Sequence, residues 1–278
     1  MNDVPAARRR GKLPPPDANA TCLVTGASSG IGTEIARALA KRGHGIALVA
    51  RRKERLEELA DELRTSHGVR VEALACDVSR QDEREGMLAE LEQLGLTVEV
   101  LVNNAGVGTS GRFHELDTAQ ELEMMRLNCE AVVALCGAFV PGMVERGRGA
   151  LLNVASTAAF QPLPTEATYA ATKAFVLSFT EALHGDLAKT GVVATALCPG
   201  PVKTEFMEGP GIEEAAATLP SFMWVDAEDV AERGVRALER GLRIAVPGVA
   251  NRVGANLGRH AHRGLLLRVA RQVVARRG

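Results

Sequence analysis

A chain of 278 residues holds 33 Lys and Arg against 34 Asp and Glu, and 46% of it is hydrophobic while only 3% is aromatic. That length and apolar content suit one large α/β domain with a core of Ala, Val and Leu. No run approaches the roughly 18 apolar residues of a membrane span, the N-terminus lacks an apolar signal core, and five cysteines show neither CxxC nor metal-ligand spacing; the reading is a soluble, cytoplasmic protein with reduced thiols and no metal.

Residues 1–19, MNDVPAARRRGKLPPPDAN, read as a disordered, proline-rich leader. Short apolar runs follow at 20–25, 45–50, 69–75, 97–102, 150–155, 192–198 and 243–246. Candidate helices lie between them at 31–42, 53–66, 80–94, 121–146, 168–189 and 226–240. Strand and helix in alternation give right-handed crossovers, hence a parallel sheet covered on both faces. Seven strands fit a single doubly wound α/β domain over residues 20–247, including a lid at 205–224, with an extension at 248–278. The net charge of −1 is unevenly spread. No acid follows Glu239 and residues 240–278 carry nine arginines, so the preceding part, with 24 basic and 34 acidic residues, stands at −10 and the tail at +9.

The first strand, ATCLVT, runs into GASSGIG, which places Gly26, Ser28, Ser29, Gly30, Ile31 and Gly32 in one tight turn. Glycine there lets the backbone approach a phosphate without a Cβ in the way. The helix that follows points its free N–H groups and positive dipole end at that phosphate. Any βα turn can want glycine, but this one stands after the first strand and before an amphipathic helix, which points to a dinucleotide.

The spacing is T-G-x-x-x-G-x-G, and four further motifs keep it company: Asp77-Val78, NNAG at 103–106, Ser156 thirteen residues before YAATK at 169–173, and PGPVKT at 199–204. Together they resemble the short-chain dehydrogenase/reductase family over roughly residues 20–247. The resemblance implies a Rossmann fold and a nicotinamide dinucleotide. In that family an acid at the end of the second strand holds the adenosine ribose of NAD; here Ala50 stands there, followed by Arg51 and Arg52. A guanidinium pairs with a 2′-phosphate that an acid would repel, so NADP is expected over NAD. Arg51 is the expected partner, and Arg52 could equally be a solvated side chain. By the same resemblance Asp77 and Val78 meet the adenine, Asn103, Ala105 and Gly106 support the central strands and the cofactor, and Pro199, Gly200, Val202 and Thr204 border the nicotinamide, with Thr204 on its carboxamide.

Tyr169 and Lys173 lie four apart, on one helical face, and Tyr169 is the chain's one tyrosine. A phenol with a reference pKa of about 10 is a weak base at neutral pH. A nearby ammonium and an oxidised nicotinamide would lower it. Ser156, at the end of the fifth strand, can donate to a substrate carbonyl while Tyr169 protonates the alkoxide. Asn128, in RLNCE, stands where the family tethers a water relay to the lysine. These four are the expected catalytic residues, with Tyr169 and Lys173 also touching the cofactor. The six histidines show no metal pairing.

Residues 205–224 combine glycine and proline breaks with Phe206, Met207, Leu219, Phe222, Met223 and Trp224, a composition suited to a mobile lid over an apolar substrate. FQPLPTEAT at 160–168 would form the opposite wall. In the tail, Leu266, Val269, Ala270, Val273 and Val274 form an apolar stripe among arginines. Packing on the chain's own domain or on a partner subunit is the expectation, with an anionic membrane surface as the less favoured alternative. Nucleic acid is not expected, because no aromatic stacking platform accompanies the arginines. The function expected is NADPH-dependent reduction of an apolar ketone by a homodimer or homotetramer; the alternatives are NAD-dependent oxidation of a secondary alcohol and a dinucleotide sensor without turnover.

Overall fold

The computed structural model describes residues 11–209, 211–213, 219–264, 266–268 and 270. Seven parallel strands form one sheet in the order β3-β2-β1-β4-β5-β6-β7: β1 Ala20–Thr25, β2 Gly45–Ala50, β3 Val71–Ala75, β4 Thr97–Asn103, β5 Gly149–Val154, β6 Val192–Leu197 and β7 Ile244–Ala245. The chain winds outward one way from β1 and then the other way from β4, so the direction of winding reverses between these two neighbours. A doubly wound sheet opens a crevice at the carboxyl ends of the strands at such a point.

Side chains alternate across the sheet, and each face has its own core. On one face Cys22 and Val24 of β1 pack with Ile35 and Leu39 of α1 (Gly30–Ala40), Leu56 and Leu63 of α2 (Lys53–His67), and further on with the helix Ala227–Glu239 through Val230 and Leu238. On the other, Leu23 packs with Met87 and Leu91 of α3 (Gln81–Gln93) and with two helices at 131–145 and 167–186. Strands buried on both faces read as unbroken apolar runs, which is why their limits are so plain in the sequence.

The run expected as one helix at 121–146 starts earlier. Helix α4 (Thr118–Met125), capped by the Asp117 carboxylate, leads through a π-helical turn at Arg126–Glu130 into α5 (Ala131–Glu145). This continuous stretch of 28 residues is, by length and composition, long and apolar enough to cross a membrane, an 18-residue window of it having a mean hydropathy of 1.7. It packs along β4, β5 and the next helix, α6 (Ala167–Asp186), as a core helix of the domain. α7 (Ala227–Glu239) follows β6, and α8 (Val249–His260), unforeseen in the sequence, follows β7.

Residues 11–19 depart from the expected disorder. The Leu13 N–H donates to the Leu238 carbonyl at 3.0 Å, and Arg148 donates to the Pro15 carbonyl at 2.7 Å. Leu13 adds its side chain to the core between α1 and α7, which offsets the cost of ordering the segment. Residues 1–10 lie outside the described part.

Candidate active site

Strand ends β1, β4, β5 and β6 converge on one cleft of about 1520 Å³. One end of it is backbone. Gly26 and Gly30 take φ of 66° and 58°, open to glycine and strained for other residues. A Cβ at Gly32 would come within 2.3 Å of the Gly26 carbonyl oxygen and 2.5 Å of Asn104 Nδ2. Ser29 precedes α1 without capping it, and the first turn contains no acid, so the helix's leading N–H groups are left for an anion. Ser28, Ser29 and Ile31 line the cleft beside them.

Asn104 holds this turn to β4. Its Nδ2 donates to the Thr25 and Gly26 carbonyls at 3.0 and 3.3 Å, while Thr25 Oγ1 accepts from the Asn104 and Ala105 N–H groups. Within NNAG the sequence reading had singled out Asn103 instead. Asn103 is buried and donates to Asn153 Oδ1 at 2.8 Å, tying β4 to β5 beneath the site. Ala105 and Gly106 do line the cleft, as do Asp77 and Val78 at the end of β3, where Asp77 Oδ1 accepts from Ser79.

Ser156, Tyr169 and Lys173 meet at the middle of the cleft. The Ser156 side chain hydrogen-bonds the Tyr169 phenol, and Ser156 Oγ also accepts from the Ala158 N–H, which fixes its rotamer. One turn along α6, Lys173 is buried and its Nζ donates to the Val154 carbonyl at 3.0 Å, 5.8 Å from the tyrosine ring centre. The expected fall in the Tyr169 pKa is not found: burial pushes it up to about 12, against the lowering effect of the Ser156 hydrogen bond. Burial likewise pushes Lys173 down to about 8. Both shifts have one cause, since a dry pocket disfavours phenolate and ammonium alike.

Asn128 sits in the π-helical turn at 1% exposure. Its Nδ2 donates to the Val107 carbonyl at 2.9 Å and to Thr172 Oγ1 at 3.1 Å, and its Oδ1 accepts from the Val107 N–H. A Cβ at Gly106 would lie 3.1 Å from Asn128 Oδ1 and 3.3 Å from Lys173 Nζ, so both side chains close on the same spot.

Residues 20–213 match the family described as short chain dehydrogenase. The chain belongs to the short-chain dehydrogenase/reductase family. It is therefore an NAD(P)-dependent oxidoreductase acting on CH–OH groups. A short-chain dehydrogenase from Sphingobium yanoikuyae in complex with NADPH superposes with a TM-score of 0.77 at 35% identity, covering 88% of this chain and 94% of that one. A bulky-bulky ketone specific alcohol dehydrogenase from Comamonas testosteroni gives a TM-score of 0.72 at 28% identity, covering 93% and 94%. A very-long-chain 3-oxoacyl-CoA reductase of Anas platyrhynchos is 36% identical over 196 residues, 68% of this chain and 62% of that protein.

In this short-chain dehydrogenase the two arginines after β2 differ. Arg51 is exposed, and no partner is found for it among the described residues. Arg52 is held on the glycine-rich turn, donating through Nε and Nη2 to Ser28 Oγ at 3.2 and 3.0 Å and through Nη1 to Glu205 Oε2 at 2.7 Å. It is no freely solvated side chain. Pro199, Gly200, Val202 and Thr204 line the cleft after β6, with the Thr204 methyl against Gly30.

Residues of the stretches 205–224 and 160–168 line the same cleft. Phe206, Met207, Leu219 and Met223 face Gln161, Leu163 and Pro164 across the cleft, and Phe206 lies 5.6 Å from Tyr169 ring to ring. Phe222, by contrast, is 72% exposed, and Trp224 lies over Lys203. The tail adds a third wall that the sequence reading did not assign to the site: Leu257, Ala261, Leu266 and Ala270 all line the cleft. Asn251 of α8 anchors it, donating to the Met223 carbonyl at 2.9 Å and filling the space where a Cβ on Gly200 would stand. Val269, Val273 and Val274 lie outside the described residues.

Proposed function

We propose that the chain reduces an apolar ketone with NADPH, Tyr169 acting as proton donor. The observation that carries this reading is the meeting of Ser156, Tyr169 and Lys173 in one cleft, Lys173 Nζ 5.8 Å from the tyrosine ring centre, with apolar side chains around them. The uncapped α1 and the glycine turn fit a pyrophosphate, and the arginines at 51 and 52 fit a 2′-phosphate. When bound, the nicotinamide supplies the hydride. Ser156 Oγ–H donates to the substrate carbonyl and polarises it. Tyr169, held protonated by burial, gives its proton to the oxygen as negative charge develops there. Lys173 is placed to stabilise the phenolate left behind and to hold ribose hydroxyls, and Asn128 sets the loop beside it. The same residues run in reverse would oxidise an alcohol; the arginines favour the reductive cofactor.

Phe206, Met207, Leu219 and Met223 from the lid and Leu257 and Leu266 from the tail give an apolar ketone its surroundings. A panel of ketones graded in size and polarity, followed by nicotinamide absorbance with each cofactor, tests this. The expected result is turnover of bulky apolar ketones with NADPH; turnover confined to small charged carbonyls, or to NADH, would refute the reading.

We also place a second copy of the chain on α5 and α6. Apart from the terminal Glu145 and Asp186, their exposed positions, among them Val133, Gly137, Val144, Ala171, Phe175 and Ala182, carry no charge in a chain that is 24% charged. A face without charge can meet its own two-fold copy without repulsion. Light scattering should give a dimer or tetramer, and Phe175→Glu should shift it towards monomer.

A further inference from the structure

The strongest unexplained feature near the site is an acid among the arginines. Arg52 and Arg55 stand three apart at the start of α2 and are bridged by one carboxylate: Glu205 Oε2 accepts from Arg52 Nη1 at 2.7 Å, and Glu205 Oε1 accepts from Arg55 Nη1. An anion with one oxygen on each of two guanidiniums has the bonding a phosphate monoester would have there. Glu205 does not belong to α2. It is the first residue of the lid, opening a 3-10 turn at Glu205–Glu208, and its neighbour Thr204 presses on Gly30 of the phosphate turn. The opposite edge of Arg52 is fastened to Ser28, so the guanidinium stays in place whether or not Glu205 does.

We propose that Glu205 is a competing anion for the 2′-phosphate of the cofactor, and that its displacement releases the first turn of the lid. It thereby sets coenzyme preference and couples cofactor binding to the substrate side. The inference rests on the NADPH reading above. A dianionic phosphate outcompetes a carboxylate for two guanidiniums, whereas NADH, lacking that group, leaves the bridge closed. Both ion pairs are substantially exposed, Arg52 at 42% and Glu205 at 38%, so exchange requires no opening of the core. The order of events follows: the dinucleotide binds, Glu205 lets go, and the turn at Glu205–Glu208 is freed from α2.

The chain carries its own reporter. Trp224 is the one tryptophan, and it lies 5.9 Å over Lys203, two residues before Glu205. Calorimetry and Trp224 fluorescence with 2′,5′-ADP and 5′-AMP, on wild type and Glu205→Gln, test the exchange without turnover. In the wild type 2′,5′-ADP should alter the emission and 5′-AMP should not. Glu205→Gln should bind 2′,5′-ADP about tenfold more tightly, the worth of relieving two exposed ion pairs, with 5′-AMP unchanged. Its free form should already emit like the loaded wild type. If wild type prefers 2′,5′-ADP but Glu205→Gln leaves that preference unchanged or weakens it, the competing role of Glu205 is refuted. If wild type shows no preference for 2′,5′-ADP at all, the NADPH reading itself falls.

Discussion

The two ends of the cleft are built on different principles. The nucleotide end is made of backbone: positive-φ glycines at 26 and 30, an uncapped helix N-terminus, and asparagine bonds from 104 that hold the turn to β4. The end proposed for the substrate is made of side chains from three separate stretches: Gln161, Leu163 and Pro164; Phe206, Met207, Leu219 and Met223; and Leu257, Leu266 and Ala270. Backbone sites demand particular residues at particular spacings, because only glycine tolerates the turn. Apolar walls demand only bulk and hydrophobicity, which many residues supply. The first end can therefore serve one kind of ligand across a family, while the second is free to change with the substrate.

Perturbations should separate these ends, and the largest effect should come where they meet. Lys173→Met removes a buried amine that lies under both. Turnover should fall by about 10²–10⁴-fold, in line with loss of a general acid–base partner, and NADPH binding should weaken as well. Steady-state kinetics beside a cofactor titration reads the two losses separately; a variant that kept tight NADPH binding would confine Lys173 to the proton step.

Next in size is Arg51→Ala, which touches only the nucleotide end. NADPH binding should weaken by about 1–3 kcal/mol with NADH nearly unchanged, the range for charge-assisted contacts. Equal losses for both cofactors in calorimetry would remove the 2′-phosphate from this residue. Asn251→Ala touches only the other end: without its bond to the Met223 carbonyl the lid and α8 lose their tie, worth roughly 1 kcal/mol. The expected outcome is a raised KM for ketone at constant NADPH affinity. An unchanged KM would detach Asn251 from the substrate wall.

The smallest effect is a matter of pH. With Lys173 at about 8, its charge is present below that value and lost above it, so reductive kcat/KM should hold at neutral pH and decline as pH passes 8. Lys173→Arg keeps its charge through this range, and its profile should lose the decline. A decline that survives the substitution belongs to another group.

The same contrast decides what could be read from sequence. Strands β1 and β2 begin and end where their apolar runs do, since burial on both faces leaves no charged residue to blur the limits. The glycine turn and the Ser156, Tyr169 and Lys173 positions were picked out by the motifs shared with the family, and the structure brings all of them to one cleft. Helix α8 was not: Val249, Val253 and Leu257 stand exposed among arginines and glycines, so no clean buried stripe marks it. Asn251 and Asn104 act through side-chain hydrogen bonds to distant carbonyls, and nothing in the local pattern announces such partners. The π-helical turn at Asn128 hides inside a helical run for the same reason. The direction of the Tyr169 shift was misread because it depends on burial, which spacing does not reveal.

The central claim is that Tyr169 delivers the proton while the nucleotide end works without it. The direct measurement mixes Tyr169→Phe with NADPH and a reducible ketone in a single turnover, recording cofactor binding by fluorescence and hydride transfer by nicotinamide absorbance. The ring that packs near Phe206 is kept and only the hydroxyl is lost. The account predicts wild-type NADPH affinity and hydride transfer slowed by at least about 10²-fold. Hydride transfer near the wild-type rate, with NADPH bound, would contradict it.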